Sequence, residues 1–256
     1  MSRAPAQSWK TEGLGGMERP GRATRVFMAL VRFAERLNLR YATLGNPSIY
    51  RTEAFSWAQA IERDWRLIRE ELDRVLERKG ELPNVQDITP DATSISCDTS
   101  WKIFPLVAYG IRATRNIALC PNTWRLVRRI PGLKTAMFSI LEPGKHIPAH
   151  RGPYNGVLRL HLGLIVPQPP ERIRMRVGSD IVHWQEGRAL IFDDAYEHEV
   201  WNDTDELRVV LFVDFAKPLG FPANLMNRLL LAAALLSPFL REGGENLRRF
   251  EKRFHG

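Results

Sequence analysis

With two cysteines in 256 residues, Cys97 and Cys120, the chain has too few thiols, too far apart, for a disulfide framework or a cysteine-based metal cluster. Reduced thiols in a cytoplasmic protein are the expectation. No uninterrupted apolar run approaches the ~20 residues that a membrane span requires. The opening, Met1–Pro20, lacks the apolar core of a secretory signal. Rich in Gly, Pro, Ser and charge, it has nothing to bury and reads as disordered. Basic residues are not interleaved with aromatics as in a nucleic-acid module, which sets nucleic acid aside as a partner. These absences leave a soluble protein, or one that contacts the inner face of a membrane peripherally. An acidic excess is missing too: Lys and Arg number 37 against 29 Asp and Glu, a net charge of +8. That balance favours anionic surroundings such as phospholipid, lipopolysaccharide or an acidic substrate.

Past residue 20 the chain divides into a helical annex and loop (21–100), a β-rich domain (101–218), and an apolar helix with a basic tail (219–256). From Thr24 to Leu39 the residues Val26, Phe27, Leu30, Val31, Phe33, Ala34 and Leu37 recur at helical spacing, among Arg22, Arg25, Arg32, Arg36 and Arg40. This is either a helix packed on the domain with a solvated basic face, or an amphipathic helix lying on an anionic membrane. A second helix is expected from Thr52 or Ser56 to about Lys79, with Phe55, Trp57, Ala58, Ile61, Trp65, Ile68, Leu72 and Leu76 as its buried stripe and Gly80 at its end. Its charges, Glu62, Arg66, Glu70 and Arg74 among them, read as surface pairs four residues apart. Glu81–Thr99 reads as a long polar loop, part of a substrate entrance or a plain connection. Trp101–Tyr109 reads as a strand interrupted by Pro105, and Pro121–Ile130 as a short helix. Leu225–Leu240 is too short to span a membrane and either docks on the protein or a partner or touches a membrane. The run Arg248–Arg253 fits a solvated tail.

Five of the six histidines lie between Thr135 and Phe215, where short apolar segments alternate with turn signals and no helix intervenes. Such spacing indicates a sandwich or barrel of jelly-roll type. Period-two reading of this stretch places Leu158, Leu160, Leu162 and Leu164 on one strand face and Arg159 with His161 on the other. In Leu207–Phe215 it places Arg208 beside Val210 and Phe212, with both faces otherwise apolar. An unpaired guanidinium in such a place would be very costly, so Arg208 implies an anionic ligand, best a carboxylate gripped by the planar fork. His150 and His198 lie near strand ends, and a hairpin between His198 and Arg208 would put both in one cavity. His146 and His183 read as surface residues. Two imidazoles and an arginine in a barrel suggest a non-haem metal with an anionic cosubstrate, against scattered core and surface histidines.

The segments His150-Arg151-Gly152-Pro153, Asn155, Leu158–Leu164 and Ile191–Trp201 (IFDDAYEHEVW) closely resemble the aspartyl/asparaginyl β-hydroxylase family, over about Gly132 to Pro218. The resemblance implies a mainly β protein with flanking helices, a double-stranded β-helix of jelly-roll or cupin-like type. It also implies an iron(II)- and 2-oxoglutarate-dependent dioxygenase that couples decarboxylation of 2-oxoglutarate, with O₂, to hydroxylation of an unactivated C–H bond. By position, His150 and His198 match the iron ligands, and Ser139, Arg159, His161 and Arg208 match the residues that hold 2-oxoglutarate, Arg208 on its distal carboxylate. Where many related oxygenases carry an aspartate after the first histidine, this chain has Gly152, so a two-histidine site completed by water is expected. Asp193 or Asp194 could in principle supply a carboxylate to the metal, but a role in supporting the site or shaping a turn is expected of them.

Two substrate classes stand: a membrane-lipid acyl chain, as in lipid A or ornithine-lipid hydroxylation, and a peptidyl or carrier-bound Asp or Asn side chain. Val157 stands where the peptide enzymes have a substrate-binding arginine, which weakens the second class, whereas Gly152 is a feature shared with those enzymes. The basic helix, the apolar C-terminal segment and the positive charge favour lipid. A metal-free binding module is the non-enzymatic alternative, and the presence of His150, His198 and Arg208 argues against it.

Overall fold

In the computed structural model, residues 22–235 and 238–256 are described; the segment expected to be disordered, 1–20, lies outside them. The elements run α1 (Arg22–Arg40), β1 (Ile49–Tyr50), α2 (Ser56–Arg63), α3 (Trp65–Leu76), α4 (Val85–Ile88), β2 (Trp101–Ala108), β3 (Ile111–Arg112), α5 (Thr114–Leu119) and α6 (Pro121–Val127). Eight strands follow: β4 (Leu133–Leu141), β5 (His146–His150), β6 (Val157–Ile165), β7 (Ile173–Val177), β8 (Asp180–Val182), β9 (Ala189–Phe192), β10 (His198–Asn202) and β11 (Arg208–Ala216). Helices α7 (Ala223–Ala234) and α8 (Pro238–His255) close the chain.

The strands form a seven-stranded sheet, ordered β1-β9-β6-β11-β4-β2-β3, and a four-stranded sheet, ordered β5-β10-β7-β8. From β4 onward the chain passes back and forth between them: β4, β6, β9 and β11 enter the large sheet, and β5, β7, β8 and β10 the small one. Strand pairing is antiparallel throughout. This alternation is a double-stranded β-helix.

Alternation of side chains gives the large sheet two different faces. Leu158, Leu160, Leu162 and Leu164 of β6 are fully buried on the outer face, where α2 packs on β9 and α3 on β6. At roughly 2 kcal/mol per buried leucine, these four contribute on the order of 8 kcal/mol before chain entropy is subtracted. Phe215 of β11 adds edge-to-face contacts with Phe55 and Trp57, at ring-centroid separations of 5.6 and 5.0 Å. The helical layer therefore holds one side of the sheet, leaving the other for the site.

Three segments differ from their sequence reading. The helix expected over 56–79 is broken at Asp64 (φ −95°, ψ 15°), whose carboxylate pairs with Arg63 and Arg125. Breaking there lets α2 and α3 each turn a buried stripe to its own strand. Glu62 pairs with Arg188 at 3.3 Å and accepts the Ala189 N–H at 2.8 Å, so it serves the sheet edge rather than a helix-surface pair. The 81–99 stretch is partly regular, with α4 and a short 3-10 turn, and buries Val85 and Ile88. The run Arg248–Arg253 is no free tail: it lies in α8, which buries Leu247, Phe250 and Phe254 and sets the last two against Phe104 of β2.

Candidate active site

The inner faces of the two sheets bring together residues far apart in sequence. His150 at the end of β5 and His198 at the start of β10 are cross-strand partners, with ring centroids 4.1 Å apart. Each Nδ1 lies against a backbone carbonyl, His150 with Pro148 O at 2.8 Å and His198 with Tyr196 O at 3.0 Å. A carbonyl can only accept, so both Nδ1 atoms carry the proton and both Nε2 atoms keep a lone pair, the tautomer a metal ligand needs. Burial first, then the neighbouring His150 and Arg159, push His198 down to about 3. Burial likewise lowers His150, with Arg159 adding to the effect. The pair therefore stays neutral at ordinary pH, as ligands must. Among the described residues no group of three His, Cys, Asp or Glu side chains is arranged to hold a metal.

Arg208 opens β11 and is 1% exposed, yet its Nε and Nη1 have no hydrogen-bond partner among the described residues. Its guanidinium lies 4.6 Å from the ring centroid of Trp184, and burial alone pushes it down to about 9. His161 of β6 is also buried, and burial, Arg208 and Arg159 in that order hold it well below its usual range. The Trp184 indole donates to His161 Nδ1 at 3.3 Å. Nδ1 thus accepts, the ring proton sits on Nε2, and that N–H has no acceptor. Ser139 of β4 accepts the Trp101 indole N–H at 3.0 Å, which leaves its own hydroxyl proton free to donate. Arg208, His161 and Ser139, on the inner face of neighbouring strands, are thus donors without an acceptor among the described residues, an arrangement that a carboxylate would satisfy. Phe192 connects the two centres, its ring 5.1 Å from His161 and 5.6 Å from His198.

This pairing of an imidazole couple with an anion niche has a counterpart in sequence comparison. The model of the Aspartyl/Asparaginyl beta-hydroxylase family matches residues 62–218, more than half of the chain. The chain belongs to that family. It is 58% identical over 254 residues to an ornithine lipid ester-linked acyl 2-hydroxylase of Rhizobium tropici, a match covering 99% of this chain and 90% of that protein. With the human aspartyl/asparaginyl beta-hydroxylase it shares 34% identity over 165 residues, 62% of this chain and 21% of the human protein. Human aspartate beta-hydroxylase domain-containing protein 2 is 38% identical over 130 residues, 46% of this chain and 34% of that protein. The family match begins well before Gly132, taking in α3 and β2 as well as the motif-bearing strands.

Not every residue that the family resemblance assigns to the cosubstrate is left with spare donors. Arg159 of β6 is gripped by Asp214 of β11, Nε to Oδ1 at 2.8 Å and Nη2 to Oδ2 at 3.1 Å, and pairs with Asp194 at 3.0 Å. Burial works against its charge, but Asp214 and Asp194 outweigh that and raise it. Only Nη1 is left over by these carboxylates. Asp194 also explains Gly152: a Cβ at position 152 would stand 2.3 Å from Asp194 Oδ2. The space of a side chain after the first histidine is filled by this carboxylate, and burial holds Asp194 above the usual aspartate range in spite of Arg159. Asp193 is tied to Lys217 at 2.7 Å and to the Ala195 N–H at 3.1 Å, a turn-shaping role.

His198 and Arg208 are not in one hairpin, as their spacing suggested. They sit in opposite sheets, and the chain between them crosses from one sheet to the other. The crossover is organised by buried Asn202, whose amide donates to Glu142 O and Glu206 O and whose oxygen accepts from Thr204 Oγ1 at 2.6 Å. His146 and His183 are exposed, His146 on the outer face of the small sheet against Glu199 and Trp201. Sequence reading missed three contributors. Asp214 shares its strand face with Arg208 and Phe212, so period two could have found it. Trp184 lies between β8 and β9, where no period applies, and Trp101 opens its strand without a marking motif.

Proposed function

We propose that this chain is an iron(II)- and 2-oxoglutarate-dependent hydroxylase whose substrate is the acyl chain of a membrane lipid of the ornithine-lipid type, oxidised at the carbon next to the ester carbonyl. The observation that carries the cofactor reading is Arg208: a buried guanidinium with two nitrogens unsatisfied among the described residues, near an imidazole whose spare nitrogen is a donor, calls for a carboxylate. His150 and His198 would hold the metal through Nε2. Arg208, His161 and Ser139 would take the distal carboxylate, and Arg159 would offer Nη1 from the side nearer the imidazoles. Iron(II), loaded with 2-oxoglutarate and O₂, supplies the oxidising power needed to place oxygen on an unactivated C–H bond.

The chain's own residues orient and exclude. The carbonyls of Pro148 and Tyr196 fix the imidazole tautomers. Trp184 covers the anion niche on one side and lines a surface pocket of about 460 Å³ with Val166, Gln168, Pro170 and His183 on the other, keeping water from Arg208. Asp194 fills the place beside Gly152 and faces Arg159.

The lipid substrate draws support from the near full-length, 58% identical relative whose name states that chemistry. Hydroxylation of a peptidyl Asp or Asn is the second reading, favoured by the 34% identity to the human enzyme and weakened by apolar Val157 on β6. Purified protein given iron(II), 2-oxoglutarate, O₂ and ornithine lipid should yield succinate and a lipid heavier by one oxygen atom on its ester-linked acyl chain. His198→Ala should abolish both products. Oxygen gained by an Asp-containing peptide and not by the lipid would transfer the assignment to the second reading, and turnover retained in folded His198→Ala would remove the metal assignment.

A further inference from the structure

Helix α1 is apolar over a wider arc than the body of the protein covers. Ala34 and Asn38 face inward and are fully buried. Val26, Leu30, Phe33 and Leu37 follow one another along a single line of the helix, and Val26 and Phe33 are 69% and 46% exposed. Helix α7 packs against α1 and repeats the arrangement. Its Ala223, Asn227 and Leu230 are buried, while Leu225 and Leu229 are 52% and 59% exposed. Two touching helices with lines of bare aliphatic and aromatic side chains make a patch, not scattered exceptions.

Charge on the same helices is of one sign. Arg25, Arg32, Arg36 and Arg40 on α1 and Arg228 on α7 are all exposed. The acidic side of the balance is Glu35 alone, which is half-buried and whose carboxyl is raised by burial. An apolar line bordered by arginines suits the boundary between headgroups and acyl chains of an anionic bilayer. A second copy of the chain would bring arginines against arginines across a two-fold axis, which counts against self-association through this face.

The face is also wired to the site. Asn38 donates to Asn155 Oδ1 and to the Tyr154 hydroxyl, both at 3.0 Å, and Asn155 donates back to Glu35 O at 3.1 Å. From α7, Asn227 donates to Gly156 O at 2.8 Å. The approach is so close that a Cβ at Gly156 would stand 2.2 Å from Asn227 Oδ1. Both helices thus clamp the 151–156 segment, which connects His150 to β6.

We propose that the exposed sides of α1 and α7 dock this protein on an anionic phospholipid bilayer, holding the 151–156 segment and the imidazole pair at the level of the lipid ester groups. Its purpose rests on the lipid-acyl substrate reading, but docking is measured independently of turnover. Full-length protein is sedimented with vesicles of phosphatidylglycerol and phosphatidylcholine, and with vesicles of phosphatidylcholine alone. Binding is expected to the first, weakened by salt, and much weaker to the second. Arg32→Gln with Arg36→Gln should weaken it roughly ten- to thirtyfold. Phe33→Glu with Leu229→Glu should reduce it by at least tenfold. Both double variants replace exposed side chains, and their thermal melts report folding. Turnover of lipid dispersed in detergent should stay at the wild-type level in both, while turnover of lipid in vesicles falls in step with binding.

Wild-type protein that stays in the supernatant while hydroxylating detergent-dispersed lipid overturns the docking proposal and leaves the substrate reading standing. Vesicle binding without lipid oxygenation overturns the substrate reading alone. A wild-type dimer that Phe33→Glu with Leu229→Glu converts to monomer, with vesicle binding unchanged, would assign the face to self-association and refute docking.

Discussion

Replacing Arg208 by methionine should make the ligand-free protein more stable, an uncommon result for a buried, hydrogen-bonding residue. Burial pushes the guanidinium down from the ordinary arginine range to about 9. At ~1.4 kcal/mol per pH unit, holding it charged in place costs roughly 5 kcal/mol. Its folded value lies below its unfolded one, so the penalty is present in full at neutral pH. Contact with the Trp184 ring returns about 1–2 kcal/mol, and the arginine stem packs much as methionine would. The net expected gain on Arg208→Met is about 3–4 kcal/mol, a rise in melting temperature of roughly 6–16 °C. With 2-oxoglutarate and a redox-inert divalent metal the gap should largely close. At a hundredfold excess over Kd the wild type gains about 2.7 kcal/mol, and the variant, lacking the grip, should gain almost nothing. Differential scanning calorimetry of both proteins with and without the cosubstrate makes the comparison. A variant that melts well below the wild type without ligand, yet still gains stability from 2-oxoglutarate, would refute the reading of Arg208 as an arginine awaiting a carboxylate.

Trp184→Phe keeps a ring over Arg208 but removes the indole N–H that His161 Nδ1 accepts; the KM for 2-oxoglutarate should rise about three- to tenfold with kcat little changed, and equal loss in both would sink the idea. Gly152→Asp forces a Cβ to within 2.3 Å of the Asp194 carboxylate and should cost about 2–4 kcal/mol in urea denaturation, most of it recovered by adding Asp194→Gly; a fully stable single variant would contradict this packing. Metal-free protein should lose stability as pH falls from 6.5 toward 3, because folded His198, held at about 3, binds fewer protons than the unfolded chain. That one group predicts a loss of roughly 2 kcal/mol at pH 5, and a denaturation midpoint unchanged between pH 7.5 and 5 would count against the buried, neutral imidazole.

What the sequence disclosed here followed from period two. The leucines of β6 and the isolated arginine of β11 each define a face, and burial of a charge on an otherwise apolar face demands a partner whatever the fold. The structure does bury Arg208 with Nε and Nη1 unpartnered among the described residues, although the face also carries Asp214. Pairing between sheets was not legible: β10 and β11 read as a hairpin, yet the Asn202 and Thr204 knot carries the chain across the sandwich instead. A turn signal marks where a chain changes direction but not which layer it rejoins. The break at Asp64 was hidden for a similar reason, since the stripe Phe55, Ala58, Ile61, Ile68 and Leu72 is continuous in helical period, while α2 packs on β9 and α3 on β6. Trp184 was beyond reach because its loop has no repeating pattern, and its worth lies in contacts to Arg208 and His161.

The two arginines of the cavity illustrate why a face assignment alone does not distinguish scaffold from function. Arg159 and Arg208 lie on neighbouring strands of the large sheet and both point between the sheets. Arg159 is answered by Asp214 across the strand pair and by Asp194 from the loop before β10, so its charge is neutralised whether or not a ligand is bound. Truncating it would strand two carboxylates, one of them against Gly152, and the damage would spread to the imidazoles through the backbone link from Gly152 N to Asp194 O at 2.7 Å. Among the described residues Arg208 has no such answer. In the proposed function its counter-charge is the carboxylate of the cosubstrate, and the free energy of that missing partner would be available to bind it. A fold that needed Arg208 only for stability would have supplied the carboxylate, as it did one strand away.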